Sequence, residues 1–316
     1  MHDEAPVRHP NTGWLFLSVL VQASIGASVV PFRYMQTVAG LPGLALVGLS
    51  TLVAFLIMSW KLIPKIDKRY WSSKTLWFMV AIVIVRTILL IFATRFTKAY
   101  IVQLINLLAP FLVVLLNRVF VRSPLPQYTI PAISLSLFGS VLMIFGGLVD
   151  QPLALLLTNQ DLVGITFAFF ATFGIAAYMM IVKRGQQIGL PFEIVYISQV
   201  GTLMVMMPLL SLSLGEDWSL FGKMDWIAGI ALVVNAVGVE VGCKIGNISV
   251  LRVLGAPLVS SMLAVRLVAA LFLGWFILGE RLDSALQWVG ALIVVLTVTG
   301  YLLNQAQGSN FKSLEV

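Results

Sequence analysis

Cysteine, histidine and charge are all scarce in this chain. Of its 316 residues one is a cysteine (Cys243), two are histidines (His2 and His9), and only 10% are charged. A single cysteine rules out an internal disulfide. With histidine confined to the first ten residues, a Cys/His zinc site or a Cys–His dyad is excluded as well. No Gly-rich phosphate loop follows a strand-like run and no nucleotide-hydrolysis motif is present, which argues against an ATP-driven pump. A membrane hydrolase or transferase would need a nucleophile–base pair, a metal set or paired carboxylates. Asp150 and Asp161 flank one connection with nothing nearby to complete a site, and Glu240 is the single acid well inside an apolar run. The chain is expected not to be an enzyme and to need no cofactor and no metal.

What it has in excess is apolar surface. Hydrophobic residues make up 59% of the chain and the mean hydropathy is +1.00, whereas soluble domains carry about 25% charged and 45–50% apolar residues. A chain this apolar cannot cover itself with polar groups, so its solvent is largely lipid. A bilayer-spanning helix needs about 20 mostly apolar residues. That criterion predicts an all-α polytopic protein with ten spans, near 14–32, 41–60, 76–94, 99–119, 128–149, 162–182, 192–214, 226–250, 255–278 and 286–303. Short connections leave no room for a soluble domain. Residues 1–125 and 126–316 are therefore read as one membrane domain, its first segment a retained helix rather than a cleaved signal peptide.

Lysine and arginine set the orientation. With the N-terminus inside, the inner side holds Arg8, Lys61, Lys65, Lys68, Arg69, Lys74, Arg118, Arg122, Lys183, Arg184, Arg252 and Lys312, twelve in all, against Arg33, Arg95, Lys98, Lys223 and Arg281 outside. Twelve against five predicts both termini in the cytoplasm and a location in a bacterial cytoplasmic membrane. Trp14, Trp60, Trp77, Trp226, Trp275 and Trp288 fall near span ends, where aromatic side chains anchor. The net charge of +7 is thereby a membrane signal, and no nucleic-acid partner is expected.

Shifting the chain by 157 residues lays Arg95 to Ala99 on Arg252 to Ala256, and Arg122 to Leu125 on Gly279 to Leu282. Segments 14–149 and 162–303 thus read as two five-helix repeats. Five is odd, so the second copy would enter the membrane inverted, a recurrent plan among secondary transporters. The run Phe272 to Leu282, ending Gly279-Glu280-Arg281-Leu282, followed by Gln287-Trp288-Val289-Gly290-Ala291-Leu292-Ile293, resembles the EamA-type repeat of the drug/metabolite transporter superfamily. Thr94 to Ala99, with Ala109-Pro110, resembles the same element in the first copy. The chain departs from the pattern at Arg122-Ser123-Pro124, where Gly-Glu-Arg is usual, and at Arg266-Leu267, where Glu-Pro is common. The resemblance implies a ten-helix secondary transporter of small metabolites whose cavity is lined by helices 3, 4, 8 and 9.

Seventeen of the twenty basic residues lie in loops or at span ends, which leaves Arg86, Lys244 and Arg266 inside the membrane. A charged group at mid-span costs on the order of 2.5–3.5 kcal/mol on insertion scales, so such groups usually face a cavity. In an α-helix Glu240, Lys244 and Asn247 share a stripe, with Gly238, Gly242 and Gly246 opposite and free to admit a neighbouring helix. Gln103, Asn106, Asn117 and Pro110 fall within one arc of the fourth span. Three interior cations against one acid point to a small anionic or zwitterionic metabolite, moved by alternating access. Arg86, Arg266 and Lys244 would hold its negative charge, Asn106 and Gln103 would orient it, and Glu240 would couple a proton or counter-substrate. Glu240 and Lys244 could also serve only to neutralise each other. The competing expectations are an exporter of amino acids or amphipathic drug-like compounds, and a non-transporting sensor. The carrier is expected as a monomer or homodimer.

Overall fold

The computed structural model describes residues 12–120, 128–146, 158–250, 253, 264–282 and 284–312, and within these the long apolar runs of the sequence are helical. In chain order the helices are α1 (Thr12–Thr37), α2 (Gly43–Leu62), α3 (Lys74–Phe96), α4 (Ala99–Asn106), α5 (Ala109–Phe120), α6 (Thr129–Phe145), α7 (Asn159–Gln187), α8 (Phe192–Ser213), α9 (Trp226–Val250), α10 (Ala264–Leu278) and α11 (Ala285–Lys312). Short 3₁₀ turns at Ile63–Lys65, Lys68–Ser72 and Trp218–Lys223 link them, and no strand occurs among the described residues. Seven helical segments are long and apolar enough to cross a membrane: α1, α2, α3, α7, α8, α9 and, taken together, α4 with the start of α5 (Ala99–Leu116). Three shorter apolar ones accompany them, Thr129–Met143, Ala264–Leu278 and Ala285–Tyr301. The protein is a multi-pass membrane protein.

Exposure follows that solvent. Phe16, Leu56, Phe78, Phe138, Phe170, Leu212, Phe272 and Phe276 all face outward, a surface that water would not tolerate but acyl chains do. Trp60, Trp77, Trp226 and Trp288 are exposed close to helix ends, as an interfacial belt requires.

The helices associate chiefly as α1 on α10, α2 on α8, α3 on α7 and α6 on α11. Between them lies α4, every residue of which is buried. Tyr100, Ile101, Leu104 and Ile105 join Phe111, Met143, Leu267, Ala291 and Val294 in the largest apolar core. Two apolar helices gain nothing by hiding from lipid, so their contact depends on close approach. Glycines supply it. A Cβ on Gly290 would fall 2.6 Å from the Met143 nitrogen and one on Gly139 2.9 Å from the Gly290 oxygen, while one on Gly48 would meet the Pro208 ring at 2.6 Å.

The expected glycine face on α9 is not formed. Within 4 Å an added Cβ on Gly238 or Gly242 would touch only that helix's own atoms, and Gly246 alone meets a neighbour, Val21 of α1. Gly238 and Gly242 lie in a π-helical segment, Val234–Cys243, whose wider turn rotates the face they share relative to that of Gly246. Gly290→Ala is accordingly expected to lower the melting temperature in detergent, the clash being with main chain and overpacking costing about 1–3 kcal/mol. Gly238→Ala is expected to leave it unchanged, and an equal loss for both would refute this assignment of contacts.

Two Gly-Glu pairs lace one end of the bundle. Gly215 and Gly279 both take left-handed φ (+70° and +66°) just beyond α8 and α10, which glycine does without strain. Each turn swings the following glutamate under another helix. The Glu216 carboxylate accepts from the Leu44 and Ala45 amides at the start of α2 (3.3 and 3.1 Å). Glu280 accepts from the Ala99 amide at the start of α4 (3.0 Å) and from Arg33 Nε (2.8 Å). Arg33, expected in an outer loop, therefore belongs to α1. It also donates through Nη1 to the Thr94 carbonyl (2.6 Å) and the Thr97 carbonyl, closing the C-terminal end of α3. Among the described residues this is the only ion pair that joins separate helices or connections.

Candidate functional site

The fourth predicted span is not one helix. α4 ends at Asn106, a turn at Leu107–Leu108 follows, and α5 starts at Ala109. Pro110 explains the break: it has no N–H for the Asn106 carbonyl, and its ring crowds that oxygen. The broken point lies in the wall of a cavity lined by Gln103, Asn106, Leu107, Ala109, Ile175, Met179 and Arg266. Its volume, about 10 Å³ as traced by the centre of a water, is room for about one water molecule. Ala109 opens α5 and Asn106 closes α4, so the positive end of one helix's peptide dipoles and the negative end of another's meet at this space.

Arg266 reaches the cavity from α10. Gly26 of α1 lies against the Arg266 main chain with no room for a Cβ. One turn earlier Gln22, fully buried, accepts from Arg266 Nε at 2.7 Å and donates to Asn247 Oδ1 of α9 at 3.0 Å. This chain fixes the guanidinium without neutralising it. Gln22 and Gly26 are not legible as residues of this site, because α1 reads from sequence as an apolar span; a glutamine inside it, one turn from a glycine, is the signal the sequence carries.

Gln103 and Asn106 are buried on α4. Asn106 Oδ1 is hydrogen-bonded to the Thr172 hydroxyl of α7 (2.9 Å), whereas Gln103 Oε1 has no partner. At 2% exposure an unsatisfied amide oxygen costs about 1–3 kcal/mol. Asn117, whose side chain is not among those described, adds nothing here.

Arg86 stands one layer away. Its backbone packs on Gly174 of α7, where a Cβ would approach Arg86 Cβ to 2.8 Å. Its guanidinium carbon lies 4.6 Å from the Tyr178 ring centroid, and its Nε is buried without a partner. Gln199 of α8 donates to the Tyr178 hydroxyl (3.1 Å), holding the ring in place. Gly174 and Tyr178 alternate along α7 with the cavity residues Ile175 and Met179, so Arg86 sits beside the cavity wall rather than in it.

Lys244 and Glu240 do not line this cavity. They form an ion pair one helical turn apart, and the Tyr196 hydroxyl donates to the Glu240 carbonyl (3.0 Å) near the π-to-α transition. The stripe expected on α9 is therefore divided, Asn247 serving Gln22 and the two charges serving each other. The structure thus brings Arg266, Gln103 and Asn106 into one cavity, sets Arg86 next to it, and gives Lys244 and Glu240 to one another. Among the described residues no group of three or more His, Cys, Asp or Glu could hold a metal.

The architecture defines a helical multi-pass membrane protein with a polar cavity beside a broken helix. Comparison with known proteins adds the fold alone. No protein-family model and no curated protein matches the chain. A solved structure described only as "Crystal structure of protein" is similar over 94% of this chain and 98% of its own, with a TM-score of 0.61 and 15% identity.

Proposed function

We propose that this protein is a secondary transporter that carries a small anionic or zwitterionic metabolite by alternating access. The observation that carries this reading is the cavity beside the α4–α5 break. There a buried, unpartnered Gln103 oxygen, the start of α5 and the unneutralised Arg266 converge. Discontinuous helices of this kind hold substrate at the middle of transporters. A cavity with room for about one water admits a metabolite only when the helices part, which fits a carrier better than a static receptor.

The finer architecture belongs to the same proposal: ten spans, α4 and α5 forming one of them, in two inverted EamA-like repeats, both termini in the cytoplasm of a bacterium. The packing supports the repeat. α2 lies on α8 and α6 on α11, the pairs that a two-fold axis exchanging first-half and second-half helices would place across itself. A Cβ on Gly48 would meet Pro208 and one on Gly201 would meet Phe55, reciprocal contacts in which the two positions stand equally far apart along each helix. Glu240 is the coupling candidate, since its protonation would release Lys244 from their ion pair.

Thermal stabilisation in detergent by inorganic phosphate, succinate, alanine or hydrophobic amines, followed by proteoliposome uptake of whatever stabilises, tests the reading. An anion or zwitterion should be the stabiliser, and Gln103→Leu should cut its uptake about tenfold or more. Selective binding and uptake of amines, unaltered by Gln103→Leu, would replace this reading with the amphipathic exporter.

A further inference from the structure

We propose that the ligand of this carrier is a dianion, its two negative charges shared between Arg266 in the cavity and Arg86 behind the Ile175–Met179 wall; this rests on the transporter reading above and narrows its substrate class.

The argument is one of charge balance at defined places. Three cations and one acid lie inside the spans, and the acid is already used: Glu240 pairs with Lys244 on the same helix. Arg266 is held by the neutral Gln22 and Arg86 by the neutral face of Tyr178. A cation–π contact contributes a fraction of what a counter-charge would. Among the described residues no other acid forms an ion pair with either arginine. Glu216 and Glu280 cap helices at one end of the bundle, Asp67 binds Arg69, and Asp225 caps α9. Residues 254–263, adjoining Arg266 in sequence, contain no acid at all. Arg266 and Arg86 lie within electrostatic reach of one another, and Glu240, while paired with Lys244, also lies within electrostatic reach of Arg86.

Two guanidiniums without an ion-pair partner among the described residues, in a low-dielectric interior, favour a ligand with two negative charges. A monocarboxylate would leave one of them bare. A zwitterion would add an ammonium to a region that lacks a free carboxylate to receive it. The Gln103 Oε1 acceptor then suits a hydroxyl or a protonated acid oxygen on the same ligand. Tyr178, fixed by Gln199, is the side chain that shares Arg86 with the ligand. The chemistry is that of a short dicarboxylate or a phosphate, recognised by arginine forks.

Affinity for the full-length protein in detergent, measured by calorimetry, tests the idea with phosphate, malonate and succinate as dianions, acetate, lactate and monomethyl succinate as monoanions, and alanine as zwitterion. At least one dianion should bind ten times or more tighter than every monoanion and alanine. Arg86→Gln should reduce that ratio to below threefold while some anion binding persists. Arg86→Lys, which keeps the charge without the fork, should fall between. A monoanion or alanine binding as tightly as the best dianion, or a ratio untouched by Arg86→Gln, would overturn the dianion assignment. So would failure of the whole panel to bind. Selective uptake of amines would overturn the anion-or-zwitterion carrier reading beneath it, whereas uptake of a monoanion or zwitterion would leave that reading standing and remove the dianion alone, so the two failures are distinguishable.

Discussion

Arg266→Gln is expected to reduce substrate binding and uptake about a hundredfold or more while leaving the melting temperature unchanged or raised. Losing the charged partner of a desolvated anion costs about 2–5 kcal/mol, and each 1.4 kcal/mol is a factor of ten in affinity. Stability should move the other way because Arg266 has no acid partner in the described structure. Its Nε bond to Gln22, at 2.7 Å, can be replaced by an amide, and the cost of desolvating the charge is then removed. Arg266→Lys should recover binding only in part, since an ammonium cannot reproduce the planar fork. A variant that loses activity and melting temperature together would show instead that Arg266 is a structural brace. Proteoliposome uptake and a melting curve on the same preparation separate the two outcomes.

Arg33→Gln is expected to produce the largest loss of stability among single polar substitutions. The Arg33 and Glu280 side chains are 17% and 8% exposed. Removing one member of such a buried pair costs about 3–5 kcal/mol, chiefly because the other is left charged and dry. The double variant Arg33→Gln/Glu280→Gln should recover much of that loss, as no bare charge remains. A pH signature accompanies it. Burial holds the Glu280 carboxyl above the usual carboxylate range, against the lowering pull of Arg33 and the Ala99 amide. A carboxyl raised on folding favours the protonated form in the native state. Its contribution is therefore most favourable below the unfolded value, about 4.3, and is lost as pH rises through the folded one. Without Arg33 that window extends upward, so the Arg33→Gln deficit should be smaller at pH 5 than at pH 8. A deficit independent of pH, and not relieved in the double variant, would refute the pairing.

Much of the helix pattern was legible in the sequence, because in lipid a backbone satisfies its hydrogen bonds within a helix and the required apolar length is set by bilayer thickness. The starts of α2, α3 and α8 lie within two residues of the predicted ones. The break after Asn106 was half legible. Pro110 marked a softened backbone, but whether a helix bends or stops there depends on what surrounds it, and α4 is buried on every side. The π segment was not legible, since its bonding differs from α by a single residue of register that composition does not encode. It carries Gly238 and Gly242, where no neighbouring helix comes within 4 Å of an added Cβ. The Gly-Glu pairs were present as Leu214-Gly215-Glu216 and Leu278-Gly279-Glu280. That both glutamates cap helices of the first half could not be read from either motif.

By itself the scarcity of charge determined the solvent of this protein, and the few charges left inside the spans determined where to look for its site. Only the tertiary structure decided what each of them does. Glu240 takes Lys244 because they lie one helical turn apart, whereas Arg33 finds Glu280 across 247 residues of chain. Among the described residues Arg266 and Arg86 have no ion-pair partner, and their side chains rest on the neutral Gln22 and Tyr178. Whether a buried charge is neutralised depends on which distant helix packs against it. In lipid that is settled by close approach at positions such as Gly26 and Gly174, not by any property of the charged residue or its neighbours in sequence.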